Sequence, residues 1–443
     1  MTNWTAATIL ALAPDSSSAS SGKGLSQRKH WLNVARQGDI LWGECQGSGK
    51  HPYQPRLDAT AAEPVFKCTC PSRKFPCKHG LGLFLLFVST PDQFAETAPP
   101  SWIAEWLGGR AGRAEKKADK LSEAITKPPD PKTAEKRSAA RDKKVRAGLE
   151  ELSLWTSDLV RGGIAGAQSK GYAHWEAMAA RLVDAQAPTL ARAVRGIPNI
   201  LTRPDWQAKL LEGLGLLHLT IQAHNRLETL PEAVQADVRG AIGYPVSVED
   251  VLALHSTTDT WQVIAQSTES LDRIRARRTW LRGENTQASA LLLEFGVPQA
   301  PLSAGYAVGS SIKGALHFYP SNAPQRAIFS GEAISAEQIS ATTGSSIAQN
   351  LEGYAAALGR NLWLERTLFS ISAATLQPDG LVRDASGTSL PVDSRFAHAQ
   401  LWQAITGGHP ATLHGEWNGE ALLPLAVTLN GEHDNFAHLE DGA

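Results

Sequence analysis

The sequence predicts an α+β protein built from three folded units, and three observations support this. Three of the four cysteines lie with one histidine inside a 12-residue stretch, between short strand-like runs and an apolar helix. From Leu149 to about Leu254, apolar residues recur at the spacing of three and four that is typical of packed helices. After Asp259 the pattern changes to short β-like runs separated by Gly, Pro and Ser.

The chain of 443 residues is too long for one hydrophobic core, and its composition is that of a globular protein, with 42% hydrophobic and 20% charged residues. We divide it into four segments. They are a small ββα unit (1–92), a charged helical arm or linker (93–148), a helical bundle (149–255) and a mixed, β-rich C-terminal domain (256–443).

The first unit is predicted to place short strands before a buried helix. Strands are expected over Asp39–Gly47, Pro52–Asp58 and Val65–Cys68, where apolar residues are bounded by turn residues. The run Gly80–Val88 is almost entirely apolar, so it is expected to form a helix that is buried against these strands.

The arm is predicted to consist of charged helices. Ser101 is expected to cap a helix that starts at Trp102, and three prolines between 128 and 131 should end it. The following stretch, KTAEKRSAARDKKVR, is rich in strong helix formers and in positive charge. Beyond it, we expect the bundle to contain five or six helices.

The cysteine and histidine cluster has the spacing C-x-C-x6-C-x-H, formed by Cys68, Cys70, Cys77 and His79. Zn²⁺ prefers four sulfur and imidazole ligands in a tetrahedron, and two pairs of ligands at short spacing can supply them. All four positions are filled by side chains, so no site is left for a catalytic water. The cluster therefore predicts one structural Zn²⁺ and a reducing environment. Cys45, the fourth cysteine, is expected to be a small buried residue.

The positive charge of the chain is concentrated in its first third. Residues 1–150 hold 23 Lys and Arg against 15 Asp and Glu, whereas residues 151–443 hold 20 against 29. Two surfaces with different partners would explain this division, as would a solvated helical linker that carries the positive charge. Beside the predicted metal ligands, the basic residues are Lys67, Arg73, Lys74 and Lys78. We expect these four to contact a partner, and we consider Trp42 for stacking on bases.

The chain lacks the marks of a membrane or secreted protein. Its longest apolar run, Leu81–Val88, is far shorter than the roughly 18 residues of a membrane-spanning helix. The first residues lack the basic region of a signal peptide, and Asp15 follows their short apolar run. We therefore expect a cytoplasmic protein that does not contact membranes.

The cluster and its surroundings resemble those of bacterial SWIM zinc finger family proteins. The resemblance covers about residues 1–110 and rests on three stretches: LWGECQGSGKHPYQ, FKCTCPSRKFPCKHGLGLFLLF and PPSWIAEWL. The SWIM ligand pattern falls on Cys68, Cys70, Cys77 and His79 without departure. The resemblance implies a zinc-binding finger that binds DNA or proteins. It also implies a partner from the MoxR-type AAA+ ATPases or the von Willebrand A proteins, beside which such proteins are often encoded.

Three functional hypotheses follow. The first is a non-enzymatic interaction protein whose finger and basic arm engage a protein or, alternatively, a nucleic acid. The second is an enzyme whose active site lies unrecognised in the C-terminal domain, although no nucleophile or base stands out in the sequence. The third is a scaffold for an ATPase assembly, in which the acidic 151–443 portion docks a partner.

Overall fold

The computed structural model describes most of the chain and shows three units in the predicted order. The residues it describes are 4–47, 51–60, 64–72, 74–110, 131–271, 274–296, 302, 305–331, 334–336, 343–429 and 432–435. Helices cover the sheet of the first unit, form the whole of the second unit and are few beside the two sheets of the third, which confirms the α+β class. None of the helices in these ranges is both long enough and apolar enough to cross a bilayer.

The first unit is a five-stranded sheet covered by helices. Its strands follow the spatial order β4-β3-β2-β1-β5, and every pairing is antiparallel except that of β5 with β1. The elements are α1 (Ala6–Leu10), α2 (Ser16–Gly24), β1 (Trp31–Gln37), β2 (Ile40–Cys45), β3 (Arg56–Asp58), β4 (Val65–Lys67), α3 (Lys78–Ser89), β5 (Ala95–Glu96) and α4 (residues 101–110).

Helix α3 is buried as predicted, and α2 packs closely along it. A Cβ atom on Gly22 of α2 would lie 2.9 Å from the Cβ of Leu81, and one on Gly82 would lie 2.7 Å from the Cβ of Leu25. Glycine at both positions therefore permits the close approach of the two helices. As a result, the N-terminal end of α2 lies beside the predicted metal ligands.

The three strands predicted from the sequence correspond to β2, β3 and β4, but β1 and β5 were not predicted. A register shift between Trp31 and Asn33 interrupts the alternation of buried and exposed residues in β1, so its pattern does not resemble a regular strand. Strand β5 has only two residues, and both are exposed. Its sequence carries no apolar signal.

Two predicted boundaries fall inside packed structure. The segment from residue 93 was expected to be an arm, yet Ile103 and Trp106 of α4 are buried in the first unit. The boundary between 148 and 149 falls inside α5, which runs from Pro131 to Arg161 without a break. The helix continues because the buried residues Val145 and Leu149 lie on one face of it.

The second unit is a bundle of five main helices. Its core is formed by apolar residues from all of them, including Leu149, Trp175, Val194, Leu214 and Val238. The helices are α5, α6 (Tyr172–Asp184), α7 (Pro188–Ile200), α8 (Trp206–Asn225) and α9 (Glu232–Ile242), followed by the short α10 (Val248–Leu252).

The C-terminal domain consists of two six-stranded antiparallel sheets. The first has the order β10-β9-β6-β7-β8 with β11 paired to β9, and the second has the order β14-β13-β12-β15-β16-β17. The strands of the first sheet are β6 (Ser256–Leu271), β7 (Ile274–Gly283), β8 (Ser289–Gly296), β9 (Ser311–Phe318), β10 (Ala327–Phe329) and β11 (Ile334–Ala336). Those of the second are β12 (Thr367–Leu376), β13 (Leu381–Arg383), β14 (Ser389–Pro391), β15 (Ala411–Trp417), β16 (Leu422–Leu429) and β17 (Glu432–Asn435).

The two sheets share one core, because Leu368 and Leu425 of the second sheet pack with Trp261 and Trp280 of the first. Two helices, α11 (Ile347–Arg360) and α12 (Ala399–Thr406), contribute Ile347 and Trp402 to a second core on the other side of β12 and β15.

Candidate metal centre

The four predicted ligands converge at the junction between β4 and α3. Cys68 follows the last residue of β4, Cys77 is the N-cap of α3, and His79 lies in the first turn of that helix. Their ligand atoms all lie within 4.8 Å of one another, and the Sγ of Cys68 is 3.9 Å from the Nδ1 of His79. Sulfur ligands at about 2.3 Å from a tetrahedral zinc are about 3.8 Å apart, so the group fits one Zn²⁺.

The surroundings of the group indicate a structural metal. Cys77 and His79 are buried, whereas Cys68 and Cys70 are partly exposed. The ring of Tyr53 lies 4.8 Å from the imidazole of His79 and covers it. Four protein ligands leave no open position for a substrate or a water. The centre therefore holds a single structural Zn²⁺, and it closes the connection between β4 and α3.

The three thiols influence one another strongly because they are so close. A hydrogen bond to Cys70 raises the pKa of Cys68, and the hydrogen bonds that Cys70 accepts from Cys68 and Cys77 lower its own pKa. For Cys77, the contact with Cys68 lowers the pKa, but the contact with Cys70 and burial outweigh it and raise the pKa. One thiolate beside two thiols is the arrangement expected without a cation. A divalent cation allows all three to ionise.

Arg56 of β3 is a buried cation beside this centre that sequence reasoning missed. Its side chain is 7% exposed, and its guanidinium carbon lies 5.0 Å from the ring centre of Trp102 and 5.8 Å from that of Trp106. Burial lowers the pKa of Arg56, and the nearby Cys68 opposes this change. Three thiolates, a neutral imidazole and Zn²⁺ carry a net charge of −1, which Arg56 can offset.

Helix α4 holds Arg56 in place. Arg110, at the end of the described part of this helix, forms an ion pair with Asp58 of β3, and its guanidinium carbon lies 5.1 Å from the ring centre of Trp106. Trp102 and Trp106 are four residues apart, so they share a face of α4. Their spacing alone does not indicate that this face covers an arginine of the sheet.

The four basic residues expected to contact a partner have different environments. Lys67 and Lys78 are exposed. Lys74 is half-exposed, and its Nζ lies 2.6 Å from the Oδ2 of Asp15, the N-cap of α2. Arg73 lies outside the described residues. Lys74 thus holds the connection between Cys70 and Cys77 against α2, a structural role that the sequence did not reveal.

Replacing Lys74 with methionine is expected to destabilise the first unit by about 1–3 kcal/mol, because the fully buried Asp15 loses its cation. Burial raises the pKa of Asp15, but the ion pair with Lys74 and the hydrogen bonds from Ser18 outweigh it, and the pKa is lowered overall. A lowered folded-state pKa contributes stability that is present at neutral pH and lost as the pH falls through it. In the variant, the free energy of unfolding should therefore fall less between pH 7 and pH 3 than it does in the original chain. Denaturant unfolding at several pH values in this range measures the difference.

The matched control is Asp15→Asn, which keeps a capping side chain on α2 but removes the charge. In the Asp15→Asn background, Lys74→Met should cost much less than in the original chain. Equal costs in the two backgrounds would show that the ion pair does not stabilise the unit.

Two other expectations concern single residues of the sheet. Cys45 is buried in β2 and is not part of the ligand group. Burial raises the pKa of its thiol, as expected for a small core residue. Trp42, considered for stacking on bases, is 4% exposed and therefore belongs to the interior. That interpretation was wrong because Trp42 faces inward on a central strand.

These features define a closed zinc finger of the Cys₃His type, built on a strand and the first turn of a helix. Comparison with known families identifies it: a model of the SWIM zinc finger matches residues 67–87, and a model of the SWIM-associated four-helix bundle domain matches residues 140–242. The chain therefore contains a SWIM zinc finger followed by a SWIM-associated helical bundle domain. No curated protein and no solved structure shows a significant match.

Proposed function

We propose that this chain is a non-enzymatic interaction protein, in which zinc shapes a finger that binds a protein partner together with the basic N-terminal half of α5. The closed metal centre supports this proposal most directly, since four protein ligands leave the metal no position for chemistry. The contribution of the zinc ion is then to fix the conformation of the residues around the connection between β4 and α3.

The N-terminal half of α5 supplies a second surface. Lys136, Arg137, Lys143 and Lys144 are exposed: Lys136 and Lys143 lie opposite to Val145, which is buried in the bundle, and the other two lie on the flanks of the helix. We call these four residues the α5 basic face. None of them forms an ion pair with another described residue. An acidic surface would neutralise these charges.

Charge complementarity therefore suggests an acidic protein surface as the partner. The resemblance to bacterial SWIM proteins adds a class of partner, a MoxR-type AAA+ ATPase or a von Willebrand A protein. A nucleic acid is the alternative, because the α5 basic face together with Lys67 and Lys78 would also suit phosphate groups. Lys74 contributes less to the binding of a protein or of a nucleic acid, since it already pairs with Asp15.

The buried polar groups of the C-terminal domain do not favour the enzyme hypothesis. Among the described residues of this domain, His414 comes closest to a catalytic arrangement, with its Nδ1 2.9 Å from the Oγ of Ser370 and its Nε2 3.0 Å from the Oγ1 of Thr428. All three side chains are buried between β12, β15 and β16, and none lines the cleft that lies between the helical bundle and the C-terminal domain. This cluster is placed to stabilise the sheet.

Reversing two charges of the α5 basic face, by Lys143→Glu with Lys144→Glu, is expected to weaken partner binding about tenfold or more, because attraction becomes repulsion. The measurement is binding of the purified chain to a purified MoxR-type ATPase or von Willebrand A protein from the same cell. A labelled DNA duplex at low salt is tested in parallel, where binding should fall steeply as salt rises if phosphates are contacted.

The matched control is Arg161→Glu with Arg226→Glu, which reverses two exposed charges elsewhere on the bundle. It should bind as the original chain does. Loss of ATPase or von Willebrand A binding in the α5 variant alone supports the protein partner, and loss of DNA binding alone supports the nucleic-acid alternative. Binding that is unchanged by the α5 reversal contradicts a role for this face.

A further inference from the structure

A cleft of about 1120 Å³ lies between the helical bundle and the C-terminal domain, and the proposed function does not use it. Direct contacts join the two units around it. The Nε1 of Trp363 donates a hydrogen bond of 2.8 Å to the Oγ1 of Thr220, and the Nζ of Lys209 lies 2.7 Å from a carboxylate oxygen of Glu420. Ligand sites occur preferentially at such junctions between domains.

The helical wall of the cleft is α8, which has apolar residues on two sides. One stripe, at Leu210, Leu214, Leu217 and Ile221, is buried in the bundle. A second stripe turns toward the cleft and includes Gly213, Leu216 and Thr220 at helical spacing. Leu216 is 39% exposed and the neighbouring Leu219 38%, so the apolar surface on this side is largely uncovered.

Gly213 leaves the middle of this wall open. A Cβ atom at Gly213 would meet nothing within 4 Å, so no protein contact requires glycine there. Glycine also disfavours a helix interior relative to residues with side chains. The position therefore weakens α8 locally and keeps space free in the cleft.

The opposite wall is a patch of the first C-terminal sheet in which leucines lie between arginines. Arg278 of β7 pairs in register with Leu293 of β8, and Leu291 lies two residues along on the same face. Leu291 forms a β-bridge with Arg326. The pattern combines an apolar surface with two guanidinium groups, of which that of Arg278 is paired with Glu269.

Arg326 is the cation in this lining that is free to receive an anion. It is exposed, and its guanidinium carbon lies 4.0 Å from the ring centre of Tyr319, which orients it. Among the described residues, no acidic side chain forms an ion pair with it. The acidic residues that line the cleft are already engaged: Glu365 with Arg192, Glu212 and Glu420 with Lys209, and Asp237 with Ser321.

We propose that this cleft is a binding site for a small amphipathic carboxylate. The apolar body of the ligand lies between Leu216 of α8 and Leu293 of β8, and its carboxylate pairs with Arg326. The volume is slightly above the usual range for small-molecule sites, so the cleft has room for such a ligand, and a planar guanidinium pairs well with a carboxylate.

The test uses two fluorescent probes of matched shape. These are the anion 8-anilinonaphthalene-1-sulfonate and its uncharged analogue N-phenyl-1-naphthylamine, and decanoate serves as the competitor. Both probes should bind the intact chain, and decanoate should displace both. Gly213→Leu should weaken both probes about tenfold or more by filling the cleft, whereas Arg326→Gln should weaken only the anionic probe, by about tenfold.

Gly353→Leu is the matched control, because it adds the same side chain at another helical glycine with open space, outside the cleft lining. Thermal unfolding of each variant verifies its fold, and Arg326→Lys should restore part of the binding of the anionic probe. Binding that is insensitive to Gly213→Leu would overturn the site. Equal loss of both probes in Arg326→Gln, or failure of decanoate to compete, would overturn the proposed chemistry.

Discussion

Replacing Cys70 with serine is expected to abolish stoichiometric zinc binding and to unfold the finger. Structural zinc contributes about 10–16 kcal/mol of apparent binding free energy, which matches or exceeds the total stability of a typical domain. The ligand atoms of Cys68, Cys70, Cys77 and His79 lie within 4.8 Å of one another, so loss of one leaves an incomplete tetrahedron. Metal analysis should find one zinc per original chain and much less in the variant. Hydrogen exchange should show lost protection in β4 and α3.

The fourth cysteine provides the control for this experiment. Cys45→Ser changes a buried thiol of the same unit that is not part of the ligand group, so zinc should be retained. The helical bundle has its own core and should keep its protection in both variants. Full zinc occupancy in Cys70→Ser would contradict the ligand set.

Replacing Arg56 with methionine is expected to have the second largest effect. The side chain loses its contacts with the rings of Trp102 and Trp106, which should cost on the order of 2 kcal/mol for a desolvated cation between aromatic rings. The zinc thiolates also lose a nearby positive charge. Because this charge stabilises the thiolates, zinc affinity should fall by about tenfold in a competition titration with a chelator.

Arg56→Lys separates the two effects. Lysine keeps the charge beside Cys68 but cannot stack its planar head between the tryptophans. Zinc affinity should therefore stay close to that of the original chain, while the free energy of unfolding falls. If Arg56→Met binds zinc as tightly as Arg56→Lys does, the positive charge plays no part in holding the metal.

The metal ligands could be predicted from the sequence because they are local. Cys68 and His79 are 11 residues apart, and the short strand and helix around them leave little freedom in how the four side chains meet. The helices of the bundle were predicted for the same reason, since their apolar spacing of three and four residues is a property of neighbouring positions. Strand β1 was missed because a register shift interrupts its alternation.

The environment of the finger could not be predicted, because it depends on contacts between distant residues. Lys74 was expected to face a partner, but it pairs with Asp15, 59 positions earlier in the chain. In the sequence, Arg56 is only a polar residue within a predicted strand. Its role becomes visible in the structure, where α4 places Trp102 over its guanidinium group. Neither contact leaves a periodic pattern in the sequence, since each joins side chains that are far apart along the chain.

By itself, the sequence determined that this protein is an α+β chain with one Cys₃His zinc centre, because local spacing specifies helices, strands and the ligand set. Only the tertiary structure decided which charges remain available. It assigned Arg56 and Lys74 to the support of the finger, left the α5 basic face exposed, and placed Arg326 in a cleft opposite Leu216. The physical reason is that the role of a charged side chain is set by the partner that the fold brings to it.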